Sequence, residues 1–290
     1  MAVTAAMVKE LRQRTGLGMM DCKKALEVVD GDLEAAIDEL RKKSALKAAT
    51  KAGRTTADGL LALMVADDCK KAAMVEVNVE TDFAARNEKF IGFVDTVLQA
   101  VFESESNDVA AVMAGALDDD REKLVQAIGE NITVRRVVAL ATSNGRISSY
   151  LHGDNKKAAL VELTAGDAEL GRNVAMHITA ISPMVVNSGE VAPDIIDKER
   201  EIYLAQAQDS GKPDDIVAKM VEGRLKKYLA EVSLVDQPFV KEPGKKIGDL
   251  LEENGAACVR FHRFEVGEGM EKRDEDFAAE VAAAAQVKGS

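Results

Sequence analysis

The sequence predicts an α+β fold, with helices at both ends and antiparallel sheets between them. Three observations carry that prediction. Residues 1–44 keep an apolar spacing of three to four, the period of a helix. From Thr55 the spacing shortens to two, the period of a strand. The block Lys70-Lys71-Ala72-Ala73-Met74-Val75-Glu76-Val77 then recurs as Lys156-Lys157-Ala158-Ala159-Leu160-Val161-Glu162-Leu163, and Arg86-Asn87 recurs as Arg172-Asn173 at the same offset. The framework is therefore duplicated along the chain.

Thr4 is placed to cap a first helix carrying Met7, Val8 and Leu11 on one face, and Thr15-Gly16-Leu17-Gly18 breaks it. Cys22, Ala25, Leu26 and Val29 mark a second helix that stops at Asp30-Gly31. Asp32 caps a third, built on Leu33, Ala36, Ile37 and Leu40. Arg41–Arg54 holds several cations and no acid. With no aromatic residue to stack on bases, it reads as a solvated helix tail and linker rather than a nucleic-acid site.

Leu60–Val65, a turn at Asp67-Asp68, and Ala72–Val79 read as a hairpin. A helix with Phe90, Phe93, Val94, Val97 and Val101 on one side follows. Asp118-Asp119-Asp120 lacks the alternating ligands and glycine of a calcium loop, so it reads as charge at a helix start. The second copy is expected to open at Val134–Leu140. Asn144-Gly145 signals a hairpin, and Ile147–Leu151 and Ala158–Leu163 continue the meander. Glu76 and Glu162 sit in alternating strand patterns and read as outward-facing. A helix through Val174, Ile178 and Ile181 ends at Pro183.

Pro193 then begins a helix through Ile196, Arg200, Tyr203, Leu204 and Ala207. Ser210-Gly211-Lys212-Pro213 turns the chain into a second helix lined by Val217, Met220, Val221, Leu225 and Tyr228. Val259–Phe264 reads as a late strand returning to the second sheet, and Asp276-Phe277-Ala278-Ala279 opens a final Ala-rich helix. The expected division is 1–54 for the helical domain and linker, 55–140 for core subdomain 1, and 141–182 with 230–266 for core subdomain 2. The helical hairpin takes 183–229, and a C-terminal module takes 267–290.

The net charge of −12 opposes broad binding to phosphate backbones and suits a protein partner. Three cysteines, far apart and odd in number, exclude a complete disulfide framework and point to a reducing cytoplasm. No stretch is long and apolar enough to span a bilayer. A phosphate-cradling loop, a nucleophile elbow and metal-ligand spacing among His152, His177 and His262 are all missing from the sequence. No cofactor, metal, small-molecule substrate, direct nucleic acid or membrane is therefore expected, nor covalent catalysis. His152, followed by Gly153, reads as an exposed turn residue. His177 reads as ordinary packing or hydrogen bonding.

The repeat is unequal at one place. Thr81, Asp82 and Phe83 of the first copy become Asp167, Ala168 and Glu169 in the second. A phenylalanine required by the core should not have a glutamate as its structural equivalent. Phe83 is thus read as an exposed apolar wedge that needs a partner. Met19 and Met20 point about 100° apart on their helix, so the two are not buried together, and a thioether adapts well to a binding surface.

Several runs resemble the elongation factor Ts family. They are Val8-Lys9-Glu10-Leu11-Arg12-x-Arg14-Thr15-Gly16-x-Gly18-Met19-Met20-Asp21-Cys22-Lys23-Lys24-Ala25-Leu26, Thr81-Asp82-Phe83, His152-Gly153, Met220-Val221-Glu222-Gly223-Arg224 and Arg263-Phe264-Glu265-Val266-Gly267-Glu268-Gly269. The resemblance covers essentially the whole chain. It implies a UBA-like N-terminal domain, a core of two related subdomains with antiparallel sheets, an inserted helical hairpin and a C-terminal helical module. It implies a guanine-nucleotide exchange factor acting on elongation factor Tu, both GDP-bound and nucleotide-free, in translation elongation. It also implies roles: Thr81, Asp82, Phe83 and Ala84 disturb the partner's Mg²⁺ site; Arg12, Met19 and Met20 meet its nucleotide-binding domain; His152 meets another of its domains. A non-exchanging scaffold or chaperone is the alternative.

Overall fold

Helix starts are set by short polar side chains that satisfy otherwise orphaned amides. In this computed structural model, which describes residues 3–208 and 213–270, the Met7 amide donates to Thr4 Oγ1 at 3.3 Å and opens α1 (Ala5–Thr15). Gly16 closes that helix at φ 68°, a left-handed conformation that glycine adopts without strain. After α2 (Met19–Val28), Asp32 caps α3 (Leu33–Lys51) by accepting from the Glu34 and Ala35 amides, both at 3.0 Å. Leu11, Cys22, Ala25, Leu26, Ala36 and Leu40 fill the core between these helices.

The solvated tail expected at Arg41–Arg54 is instead mostly the second half of α3. Ser44 and Ala48 are buried against the neighbouring core. The Ser44 hydroxyl lies 2.5 Å from Gln126 Oε1, and Arg41 pairs with Asp119 at 2.6 Å. Tertiary burial of one face keeps the helix going where its charge pattern alone suggested solvent.

Strands β1 (Asp58–Val65) and β2 (Lys71–Val79) form the expected antiparallel hairpin. A one-turn helix α4 (Asp82–Ala85) precedes α5 (Glu88–Ser104), α6 (Val109–Met113) and α7 (Ala116–Ile128). Phe90, Phe93, Val94, Val97, Leu98 and Val101 of α5 are buried on the first sheet. At about 2 kcal/mol for each such side chain, this stripe far outweighs the marginal stability of an isolated helix of that length.

Strand β3 (Ile132–Ala141) pairs antiparallel with β2 and completes a first sheet in the order β1-β2-β3. Val134–Leu140 therefore closes the first half rather than opening the second. Asn144-Gly145 is not a hairpin. It carries the chain from one sheet to the other, because the ladder of β4 (Arg146–Leu151) is taken by β5 (Lys157–Leu163). The second sheet runs β4-β5-β8 and carries α8 (Ala168–Ile181) across it.

After α8 come α9 (Pro193–Gln208) and α10 (Asp214–Val232), packed together through Tyr203, Ala207, Val217 and Val221. Their turn at Ser210–Lys212 lies outside the described residues, as does the helix expected from Asp276. A small hairpin of β6 (Pro238–Phe239) and β7 (Glu242–Lys246) and helix α11 (Ile247–Glu253) lead to β8 (Cys258–Glu265), which pairs with β5 as expected.

Glu76 and Glu162 do not face outward. Glu76 is fully buried, bonded to Arg136 Nε at 2.5 Å, Arg135 at 3.0 Å and the Gly267 amide at 3.0 Å. Glu162 is buried beside Arg260 at 2.7 Å. Strands β2 and β5 are central and covered on both faces, so their polar positions are enclosed and must be paired.

Candidate partner-binding site

The turn after β2 is built from both ends. Thr81 caps α4, its Oγ1 accepting the Ala84 amide at 3.2 Å while its hydroxyl donates to Glu130 Oε1 at 2.7 Å. The Thr81 amide donates to the other Glu130 oxygen at 2.9 Å. Next to it, Glu80 accepts the Asn131 amide at 2.5 Å and pairs with Arg54 at 3.4 Å. Glu130 and Asn131 come from a segment about fifty residues downstream, and Arg54 from the end of the N-terminal helical region; no local spacing announced them.

Four residues form α4, and Asn87 then restarts the chain as the cap of α5, accepting the Lys89 amide at 2.9 Å. Ala84 and Ala85 are buried in the first core. Phe83, between Asp82 and Ala84, is 81% exposed. Asp82 pairs with Arg86 at 2.8 Å along the turn, with Arg86 largely in solvent and Asp82 about half exposed. The matching place in the second half is different. There Asp167 caps α8 through the Leu170 amide at 2.8 Å, and the helix continues unbroken to Ile181. One half ends in a short tip bearing an aromatic ring; the other ends in an ordinary helix start. Of the four residues expected to form the wedge, Ala84 lies inside and contributes by packing, while Phe83 is the one displayed.

Arg12, Met19 and Met20 meet in one groove of about 620 Å³, lined also by Val3, Val8, Lys9 and Lys23. The two methionines are 59% and 61% exposed. The groove's lining combines apolar side chains with the cations Lys9, Arg12 and Lys23. Lys89 Nζ donates to the Gly16 carbonyl at 3.0 Å, tying the loop between α1 and α2 to the start of α5. This contact joins the groove's helices to the element that follows the Phe83 tip.

His152 stands apart from both groups. Its ring is about half exposed, and Nδ1 lies 3.0 Å from Asp154 Oδ1. Asp154 is held below the usual carboxylate range, first by the Lys156 amide and then by His152. His177, by contrast, is fully buried: Nε2 donates to Gln237 Oε1 at 2.9 Å, and Nδ1 accepts the Val240 amide at 3.2 Å. Burial pushes its pKa down, so the ring is a neutral structural bridge between α8 and the residues on either side of β6. Among the described residues no cluster of three or more His, Cys, Asp or Glu is placed to hold a metal, and no helix is long and apolar enough to cross a membrane.

A family model described as Elongation factor TS matches residues 80–268, a span that runs from the Phe83 tip to the end of the second sheet. The chain is 56% identical to Elongation factor Ts of Hahella chejuensis, with 99% of each chain covered. It is 55% identical to that of Saccharophagus degradans over 98% of each, and 51% identical to that of Methylococcus capsulatus over the whole of both. The chain belongs to the elongation factor Ts family, the nucleotide exchange factors for elongation factor Tu in translation elongation.

Proposed function

We propose that this protein promotes GDP release from elongation factor Tu by inserting the Phe83 tip beside the partner's Mg²⁺ site. The observation that carries this reading is a large apolar ring in water on a turn anchored by Thr81, Ala84, Ala85 and Asn87. A folded chain leaves such a ring exposed at no benefit to itself, and its repeat equivalent is a glutamate.

Mg²⁺ demands near-octahedral oxygen geometry, so small displacements of its ligands weaken it. A ring pushed between partner elements shifts those ligands without touching the nucleotide. The phosphates then lose their neutralising charge and GDP leaves faster. Linkage makes the effect reciprocal: the factor binds nucleotide-free partner more tightly than GDP-bound partner. Asp82 adds negative charge near the cation site. Arg12, Met19 and Met20 hold the partner's nucleotide-binding domain, and His152 touches a second domain. No bond is broken in this protein or by it. The unpaired thiols Cys22, Cys69 and Cys258 suit action in a reducing cytoplasm.

Stopped-flow release of fluorescent GDP from elongation factor Tu, with and without this protein, tests the reading. A release rate that rises with its concentration supports exchange. Binding without faster release marks a scaffold instead.

A further inference from the structure

The two sheets meet along a seam whose contacts come in matched pairs. The Leu61 amide donates to the Asn155 carbonyl at 2.8 Å, and the Ile147 amide donates to the Cys69 carbonyl at 2.8 Å. When Lys70 is laid on Lys156, Leu61 falls on Ile147 and Cys69 on Asn155. Both turn residues are left-handed, at φ 58° and 57°. The lysines follow the same rule. Lys70 Nζ donates to the Gly145 carbonyl and Lys156 Nζ to the Gly59 carbonyl, each at 2.6 Å. Lys156 also reaches the Asp58 carboxylate.

Gly59 and Gly145 are themselves repeat equivalents, and both positions exclude a side chain. A Cβ would lie 2.2 Å from the Val77 carbonyl oxygen in one and 2.8 Å from the Leu163 carbonyl oxygen in the other. Leu61, Met74, Ile147 and Leu160 pack behind these bonds. The seam is isologous, like the interface of a two-fold dimer fused into one chain.

This symmetry joins two halves that carry different contact groups. The first half bears Phe83 beyond the end of β2. The second bears His152 in the same turn that supplies Asn155 and Lys156 to the seam, with the His152 amide donating to the Lys157 carbonyl at 2.9 Å. Apolar packing is non-directional and tolerates rotation of one sheet on the other. A charge-assisted bond to a fixed carbonyl is directional and does not. We propose that Lys70 and Lys156 are positioning residues for nucleotide exchange. They fix the spacing between His152 and Phe83, so that binding at one drives the other into place. The proposal rests on the reading that both groups engage the same elongation factor Tu molecule.

The test is stimulated GDP release by wild-type protein, F83A, H152A, K70M/K156M and K70R/K156R, with melting curves for each. Remote binding energy raises a maximal rate only through a stiff connection. K70M/K156M is expected to melt cooperatively and to lower the maximal release rate about tenfold. Its half-saturating concentration should stay within about threefold of wild type, a shift of roughly 0.7 kcal/mol or less. The arginine pair should restore most of the rate. Adding H152A to K70M/K156M should leave the already lowered maximal rate unchanged. If F83A and H152A slow release while K70M/K156M keeps the wild-type maximum, the positioning role is overturned and the wedge reading survives. If F83A and H152A also leave release unchanged, both readings fall. Should the double variant not fold, K70M alone is read the same way.

Discussion

Replacing Phe83 with alanine separates a functional ring from a structural one. Phe83 is 81% exposed. A phenylalanine offers roughly 200 Å², so about 160 Å² face water and about 40 Å² are already covered. At about 25 cal/mol per Å², the covered part is worth about 1 kcal/mol to the fold. The better helix propensity of alanine returns about half of that. The uncovered part is worth about 4 kcal/mol to a partner that encloses it fully. If half of that is gained only as GDP leaves, the loss of about 2 kcal/mol slows stimulated release about thirtyfold. Phe83→Ala should therefore melt within a few degrees of wild type and fail in stopped-flow GDP release. Unchanged stimulation together with a clearly lower melting temperature would refute the reasoning and make the ring part of the core.

Thr81→Val removes both the cap of α4 and the hydroxyl's bond to Glu130, while the Thr81 amide keeps its bond to the other Glu130 oxygen. It should lower urea stability by about 1–2 kcal/mol and weaken exchange with it, and wild-type values in both assays would contradict the account of the turn. Glu76→Gln leaves Arg135 and Arg136 short of their buried counter-charge. A stability loss of about 3 kcal/mol is expected in chemical denaturation, and a loss under about 1 kcal/mol would show the network to be dispensable. Burial lowers the pKa of both His177 and His262. The unfolded chain then takes up these protons first, so stability is flat above about pH 6.5 and falls below it, by up to about 1.4 kcal/mol per pH unit per histidine. Urea midpoints between pH 7.5 and 5 should show that fall, and His177→Gln should make it shallower; a midpoint that rises on acidification would contradict the sign.

Local signals were legible and distant ones were not. Thr4 and Asp32 cap the helices their spacing promised, and the block starting at Lys70 recurs as strand in both halves. The exposure of Phe83 followed from a glutamate at the matching place. The assignment of β3 to the first sheet was hidden because Asn144-Gly145 marks a reversal of the chain without saying which strand receives it. Glu76 read as exposed because alternation reports which face a residue occupies, not whether another layer covers that face. Its partners Arg135 and Arg136 lie about sixty residues away. The later part of α3 reads as solvated for a related reason: its charges Arg41 and Lys47 point to Asp119 and Asp21, in elements that only the fold brings near. Glu130 and Lys89, which steady the tip and the neighbouring loop, had no local mark at all.

A single helical turn cannot persist by itself in water, since starting a helix is the unfavourable step. The break at Arg86-Asn87 leaves α4 at that length, yet borrowed bonds from Glu130 and the α5 cap keep it formed. The tip is already in shape in the free chain, so on the docking proposed above little ordering entropy would be left to be lost. A free loop presenting the same ring would spend part of its grip on becoming orderly. On that proposal a pre-formed tip would keep nearly all of it to act on elongation factor Tu.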